Sequence, residues 1–150
     1  MAHIEVTASA PVAAPPERVW EVLCDTERYA EWVEGTDEVT RTDGPAGPGS
    51  TYDEVNPIVG PWKAKTRWTV TEFDPPWRQV HRGEGIPMVG SFDVVMEVRP
   101  VEGASEVTIT LRADTSLGPL GAAFAALQKG QLEQGNRRTV EALAGRVGRG

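Results

Sequence analysis

Between Phe92 and Ala113 apolar side chains alternate with a period of two, and from Leu120 onward the period lengthens to about 3.6. In the first stretch Phe92, Val94, Met96 and Val98 oppose Asp93, Val95, Glu97 and Arg99. Val107, Ile109, Leu111 and Ala113 then oppose Glu106, Thr108, Thr110 and Arg112. Such alternation belongs to strands with one covered face. In the second stretch Leu120, Phe124, Leu127 and Gln131 line one helix face, with Leu132, Val140 and Leu143 in a neighbouring stripe, and the helix runs to about Gly145. Gly130 and Gly135 each weaken that helix by about 1 kcal/mol relative to alanine, so its formation depends on packing.

The same two periods order the rest of the chain. "HIEVTASAPV" alternates Ile4, Val6, Ala8 and Ala10 against Glu5, Thr7 and Ser9, a strand that stops near Pro11. "APPERVWEVLCDTERYAEWV" then reads as two short helices. Prolines suit the first turn, Glu17 lies near the positive helix end, and Val19, Trp20 and Leu23 form a stripe. Asp25 and Thr26 offer a cap before the second helix, which holds Tyr29, Trp32 and Val33. "DEVTRTD", the turn "GPAGPG" and "STYDEVN" read as a hairpin, with "PIVGP" as a connection. "DPP" is a turn in which Pro75 fits the first central position of type I. Strands are expected over Trp77–Gly83, Val89–Arg99 and Ser105–Asp114. The order is strand, two short helices, six strands, long helix, within one domain.

The long strand "WKAKTRWTV" places Trp62, Ala64, Thr66, Trp68 and Val70 on one face and Lys63, Lys65, Arg67 and Thr69 on the other. The first face is apolar enough for a packed core and, with two indoles and a hydroxyl, equally suited to a cavity wall.

Composition removes several function classes. A chain of 150 residues buries about 70% of its unfolded surface around one core. The net charge of −7 argues against nucleic-acid binding, which needs a basic footprint. Residues 1–60 hold 12 acids and 3 bases, and residues 61–150 hold 10 acids and 12 bases, which reads as two solvated surfaces. One cysteine, Cys24, precludes an internal disulfide and fits a reducing compartment, so a cytoplasmic location is expected. No apolar run reaches the ~20 residues of a membrane span, and the N-terminal residues lack a signal-peptide pattern. His3, His81 and Cys24 show no metal-ligand spacing, and "GPAGPGS" lacks the lysine of a phosphate loop. No metal or cofactor is expected. Thr115 and Ser116 read as helix caps rather than nucleophiles.

Four phrases carry a family resemblance: "APPERVWEVLCDTERYAEWV", "GSTYDEV", "WTVTEFDPPWRQVHR" and "GNRRTVEAL". Together they resemble the polyketide cyclase/dehydrase-like (SRPBCC) branch of the START/Bet v 1 superfamily over nearly the whole chain. The resemblance implies an α+β helix-grip fold: a curved seven-stranded antiparallel sheet around a long C-terminal helix, two short helices after the first strand, and an apolar cavity between sheet and helix. It does not decide function, which resides in the site.

The candidates for chemistry are three. His81 shares a strand face with Trp77 and Gln79, while Val80 lies opposite with Arg78 and Arg82, so the sequence leaves the inward face undecided. Tyr52 and Glu54 share a face; if Tyr52 points inward so does Glu54, whose buried carboxyl would need a partner or a proton. A bulge or strand end at Asn56 and Pro57 that turns Glu54 outward is the preferred reading. Arg67, Arg82 and Arg112 are expected as surface partners. The expected ligand contacts are Tyr52, Trp62, Thr66, Trp68, His81, Phe92, Val94, Phe124 and Leu127. Three functions remain: a carrier or sensor of a small hydrophobic or aromatic ligand, a polyketide cyclase or dehydratase using Tyr52, Glu54 or His81, and a protein-binding module with a filled core. A homodimer is left open.

Overall fold

The computed structural model describes residues 2–87, 89–115 and 118–148. Strand β1 (Ala2–Val12) leads into α1 (Pro16–Cys24) and a 3-10 helix (Thr26–Glu31). Strands β2 (Glu38–Thr42), β3 (Thr51–Val59), β4 (Trp62–Asp74), β5 (Arg78–Glu84), β6 (Ser91–Val101) and β7 (Ala104–Thr115) precede the 31-residue helix α2 (Gly118–Gly148). All neighbours pair antiparallel in the order β1-β7-β6-β5-β4-β3-β2, so β1 leaves the hairpin succession and closes beside the last strand. Helix α2 lies against β1 and β7. This is the α+β helix-grip arrangement implied by the resemblance.

Register shifts at Val39/Arg41, Pro57/Val59 and Val70/Glu72 interrupt the ladders on one side of the sheet. Bulges of this kind bend a strand and increase its twist, which curls the sheet toward the helix. The expected connection "PIVGP" is instead the end of β3. Strand β2 pairs with β3 only as far as Val55, so Pro57 lies beyond it, where a missing N–H breaks no ladder bond.

Two further expectations change. The Asp74–Trp77 turn, closed by Trp77 N–H donating to Asp74 O at 2.8 Å, contains a cis Pro75–Pro76 bond, so it is a type VI turn rather than type I. Asp25 and Thr26 provide no side-chain cap; the Thr26 hydroxyl reaches Thr42 Oγ1 (2.6 Å) and Gly44 O (2.9 Å), fastening the 3-10 helix to the β2–β3 hairpin. The cap expected at Ser116 and the Thr115 side chain lie outside the described residues.

The main core gathers Val19, Trp20 and Leu23 of α1, Val98 and Val107 of the sheet, and Val140, Leu143 and Val147 of α2. A smaller cluster joins Ile4, Val6 and Ala113, with Leu132 of α2 against it. Burying one such aliphatic side chain contributes about 1.5–3 kcal/mol. Asn136 of α2 donates from Nδ2 to Ile109 O at 2.8 Å, pinning the helix to β7. Among the described residues no helix is long and apolar enough to cross a membrane.

Candidate functional site

The inner faces of the strands follow from their alternation. On β4, Ala64, Thr66, Trp68 and Val70 are buried, and on β5 the inward set is Gln79, His81 and Gly83. Val80, paired with Val95, is buried on the opposite face. Gly83 is needed against Trp68: a Cβ there would meet the indole carbons at 2.7 Å. Arg67 and Arg82 lie outside, paired with Asp53 and Asp93 at 2.8 Å. Arg112 has no such partner among the described residues, and its Nε is buried without a hydrogen bond.

Between sheet and α2 lies a cavity of about 340 Å³. Its apolar wall comprises Trp68, Phe92, Val94, Met96, Ile109 and Leu111. The 3-10 helix and the loop after it add Tyr29, Trp32 and Thr36, the β5–β6 loop adds Ile86, and α2 adds Gln131 and Asn136. Tyr52 stacks on Trp68 with ring centroids 6.4 Å apart, and Phe92 meets the same indole edge-on at 5.7 Å. The Trp32 indole N–H is buried without an acceptor.

Glu54 is inside. Because β3 continues to Val59 and its register shifts only after Pro57, Tyr52, Glu54, Asn56 and Ile58 all line the cavity, and the outward reading of Glu54 is wrong. Glu54 is only 4% exposed. Thr36 Oγ1 (3.2 Å) and Asn56 Nδ2 (3.0 Å) both donate to its Oε1, and Oε2 has no protein partner among the described residues. Burial raises the carboxyl pKa to about 7, against the opposing pull of those two donors. Behind Asn56 the network continues: Thr66 donates to Asn56 Oδ1, and Trp68 Nε1 donates to Thr66 Oγ1 at 2.8 Å.

His81 belongs to a separate chain. Tyr52 Oη lies 2.6 Å from His81 Nδ1, His81 Nε2 lies 2.7 Å from Gln79 Oε1, and Gln79 Nε2 donates to Cys24 Sγ at 3.6 Å. Since the Gln79 oxygen only accepts, His81 Nε2 carries the proton and Nδ1 accepts from Tyr52. Burial lowers the imidazole pKa to about 4 and raises that of the Tyr52 phenol well above its ordinary value. Burial likewise raises the Cys24 thiol. A neutral ring with both nitrogens engaged has no site left for a ligand proton.

The expected ligand contacts therefore separate. Tyr52, Trp68, Phe92 and Val94 line the cavity. Trp62 does not: it is the first residue of β4, opposite Val59 at the register shift, and is 49% exposed. Thr66 and His81 are buried behind the wall, their polar atoms already satisfied. The side chains of Phe124 and Leu127 lie outside the described residues. Asn56 was legible in principle, sharing the alternation of Tyr52 and Glu54, whereas Thr36 and Glu34 come from an aperiodic loop. Among the described residues no three His, Cys, Asp or Glu side chains group to hold a metal ion.

Comparison with known proteins agrees with this architecture. The family model "Polyketide cyclase / dehydrase and lipid transport" matches residues 3–147, and the chain belongs to that family. The Zhui aromatase/cyclase from Streptomyces sp. R1128 superposes with a TM-score of 0.82 at 19% identity, over 99% of this chain and 95% of that one. TTHA0849 from Thermus thermophilus gives 0.78 at 19% identity, over 95% and 96%. The di-domain ARO/CYC StfQ of the steffimycin biosynthetic pathway gives 0.75 at 12% identity, over 96% of this chain and 51% of that one. At these identities the likeness concerns the fold. Among curated proteins none matches the chain.

Proposed function

We propose that this protein binds a small, predominantly apolar or aromatic molecule in the space between sheet and α2, as a carrier or sensor. One observation carries the reading: where a filled core would place side chains, Trp68, Phe92 and Val94 border a cavity of about 340 Å³. That volume lies at the lower end of the roughly 300–1,000 Å³ typical of small-molecule sites. A compact ring system suits it better than a long acyl chain. The family's aromatase/cyclase neighbours support a polycyclic or polyketide-like occupant.

A cyclase or dehydratase is the second reading, favoured by Glu54. Its carboxyl faces the cavity with one free oxygen and titrates near neutrality, the two requirements of a general acid or base. Tyr52 and His81 are bonded to each other and make weaker candidates. The two readings part on turnover. Trp68→Ala is expected to weaken binding of an aromatic ligand by more than it lowers stability. Destabilisation by the ~3–5 kcal/mol of a packed aromatic deletion, with no ligand found in a broad screen, would instead indicate a filled core. Product formation from an extended aromatic polyketide, abolished in Glu54→Gln with binding retained, would establish the enzyme.

A further inference from the structure

Among the described residues the carboxylates that line the cavity have no basic side chain beside them in its wall. Glu34 and Glu54 line it, and no lysine, arginine or histidine does so among the described residues. Residues 115–127 contain no ionisable side chain that could supply a cation. Glu34 sits at the rim, half-exposed and within 3.3 Å of Arg138 Nη1, so solvent and an arginine both serve it. Glu54 has neither. It is buried, its two donors are neutral and converge on Oε1, and Oε2 is left to the cavity. A buried carboxylate without a counter-charge is costly, and a bound cation is the group that removes that cost most completely. A neutral hydroxyl would supply one hydrogen bond, and an anion would add a second like charge in a low dielectric.

We propose that Glu54 sets ligand selectivity: the preferred occupant is an aromatic molecule carrying one protonated amine, seated with its ammonium against Oε2 and its rings against Trp68 and Phe92. This rests on the reading of the cavity as a ligand site and adds the polar chemistry of the ligand. The arrangement around Oε1 is independent of the ligand. Thr36 and Asn56 hold that oxygen, Asn56 Nδ2 also donates to Gly35 O at 2.8 Å, and Thr66 donates to Asn56 Oδ1. Both β3 and the loop preceding β2 thereby orient the carboxyl, and only its second oxygen is free to discriminate.

Three probes with one aromatic frame test this: 1-naphthalenemethylamine, 1-naphthalenemethanol and 1-naphthoic acid, titrated calorimetrically at neutral to slightly alkaline pH. The amine is expected to bind about tenfold or more tighter than the alcohol, as a charge-assisted bond to a buried carboxylate implies, and the acid to bind weakest. In E54Q, which keeps an acceptor oxygen for Thr36 and Asn56, the advantage of the amine over the alcohol should vanish while the alcohol still binds. An acid that binds the wild type as tightly as the amine, or an amine preference that survives E54Q, would overturn the inference and leave the cavity reading standing. Failure of all three to bind the wild type would remove both. The order among the probes in the wild type decides the question even where E54Q does not fold.

Discussion

Glu54 titrates well away from its ordinary range, and pH exposes it. Its pKa rises from 4.5 to about 7 in the folded protein, so the native state holds a proton that the unfolded chain releases. Its contribution is therefore fully present below pH 4.5 and is lost as pH rises through about 7, a change on the order of 3 kcal/mol. His81 acts in the opposite sense. With its pKa lowered from 6.5 to about 4, its contribution is present above 6.5 and lost as pH falls through 4. The two slopes oppose each other at mildly acidic pH and mask one another in the wild type. Comparing Glu54→Gln with wild type isolates the first, because His81 is common to both. Urea unfolding at about pH 5 and pH 8 should show the variant gaining about 2–3 kcal/mol relative to wild type at the higher pH. A pH-independent difference would mean that Glu54 titrates as an exposed carboxyl. The inward turn of Glu54 was not legible because it depends on where β3 ends: local rules end a strand at "NP", whereas the early end of β2 lets the strand continue.

At the scale of elements, alternation predicted the inner faces of β4, β6 and β7 because each is a long strand with one covered side. It failed at Trp62, since periodicity says which side a residue takes and not how far along the strand the cover extends. It left β5 undecided because Val80 and His81, on opposite faces, are both buried. The helix α2 shows how packing overrides propensity. Two of its interior glycines, Gly130 and Gly135, differ: a Cβ at Gly135 would approach Glu34 Cγ at 3.3 Å, whereas at Gly130, exposed, nothing lies within 4 Å. Gly130→Ala should accordingly stabilise the protein by about 0.5–1 kcal/mol, read as a rise in the urea midpoint at unchanged slope. Destabilisation would show that position 130 has a neighbour or a backbone geometry that needs glycine.

For the whole molecule the architecture was legible because order and period recur along the entire chain, while the cavity was legible only through the family resemblance, since a pattern of inward apolar residues describes a filled core equally well. What separates them is the spacing of the curled sheet from α2, a property of strand bulges and of the helix seat rather than of any one residue. The main core thus runs from α1 and the C-terminal half of α2 along the sheet as far as Trp68, and at its edge Trp68, with Phe92 and Val94 packed beside it, borders the cavity. The five tryptophans sample this division. Trp32 and Trp68 border the cavity, Trp20 packs against Phe73, and Trp62 and Trp77 are exposed. Their indole N–H resonances in a nitrogen-15 correlation spectrum report each environment separately during titration with a naphthalene-based ligand. Saturable shifts of the Trp32 and Trp68 signals, with those of Trp62 and Trp77 unmoved, are the predicted result. Shifts confined to Trp62 or Trp77, or none across a broad panel of apolar and aromatic compounds, would contradict a ligand site between sheet and helix.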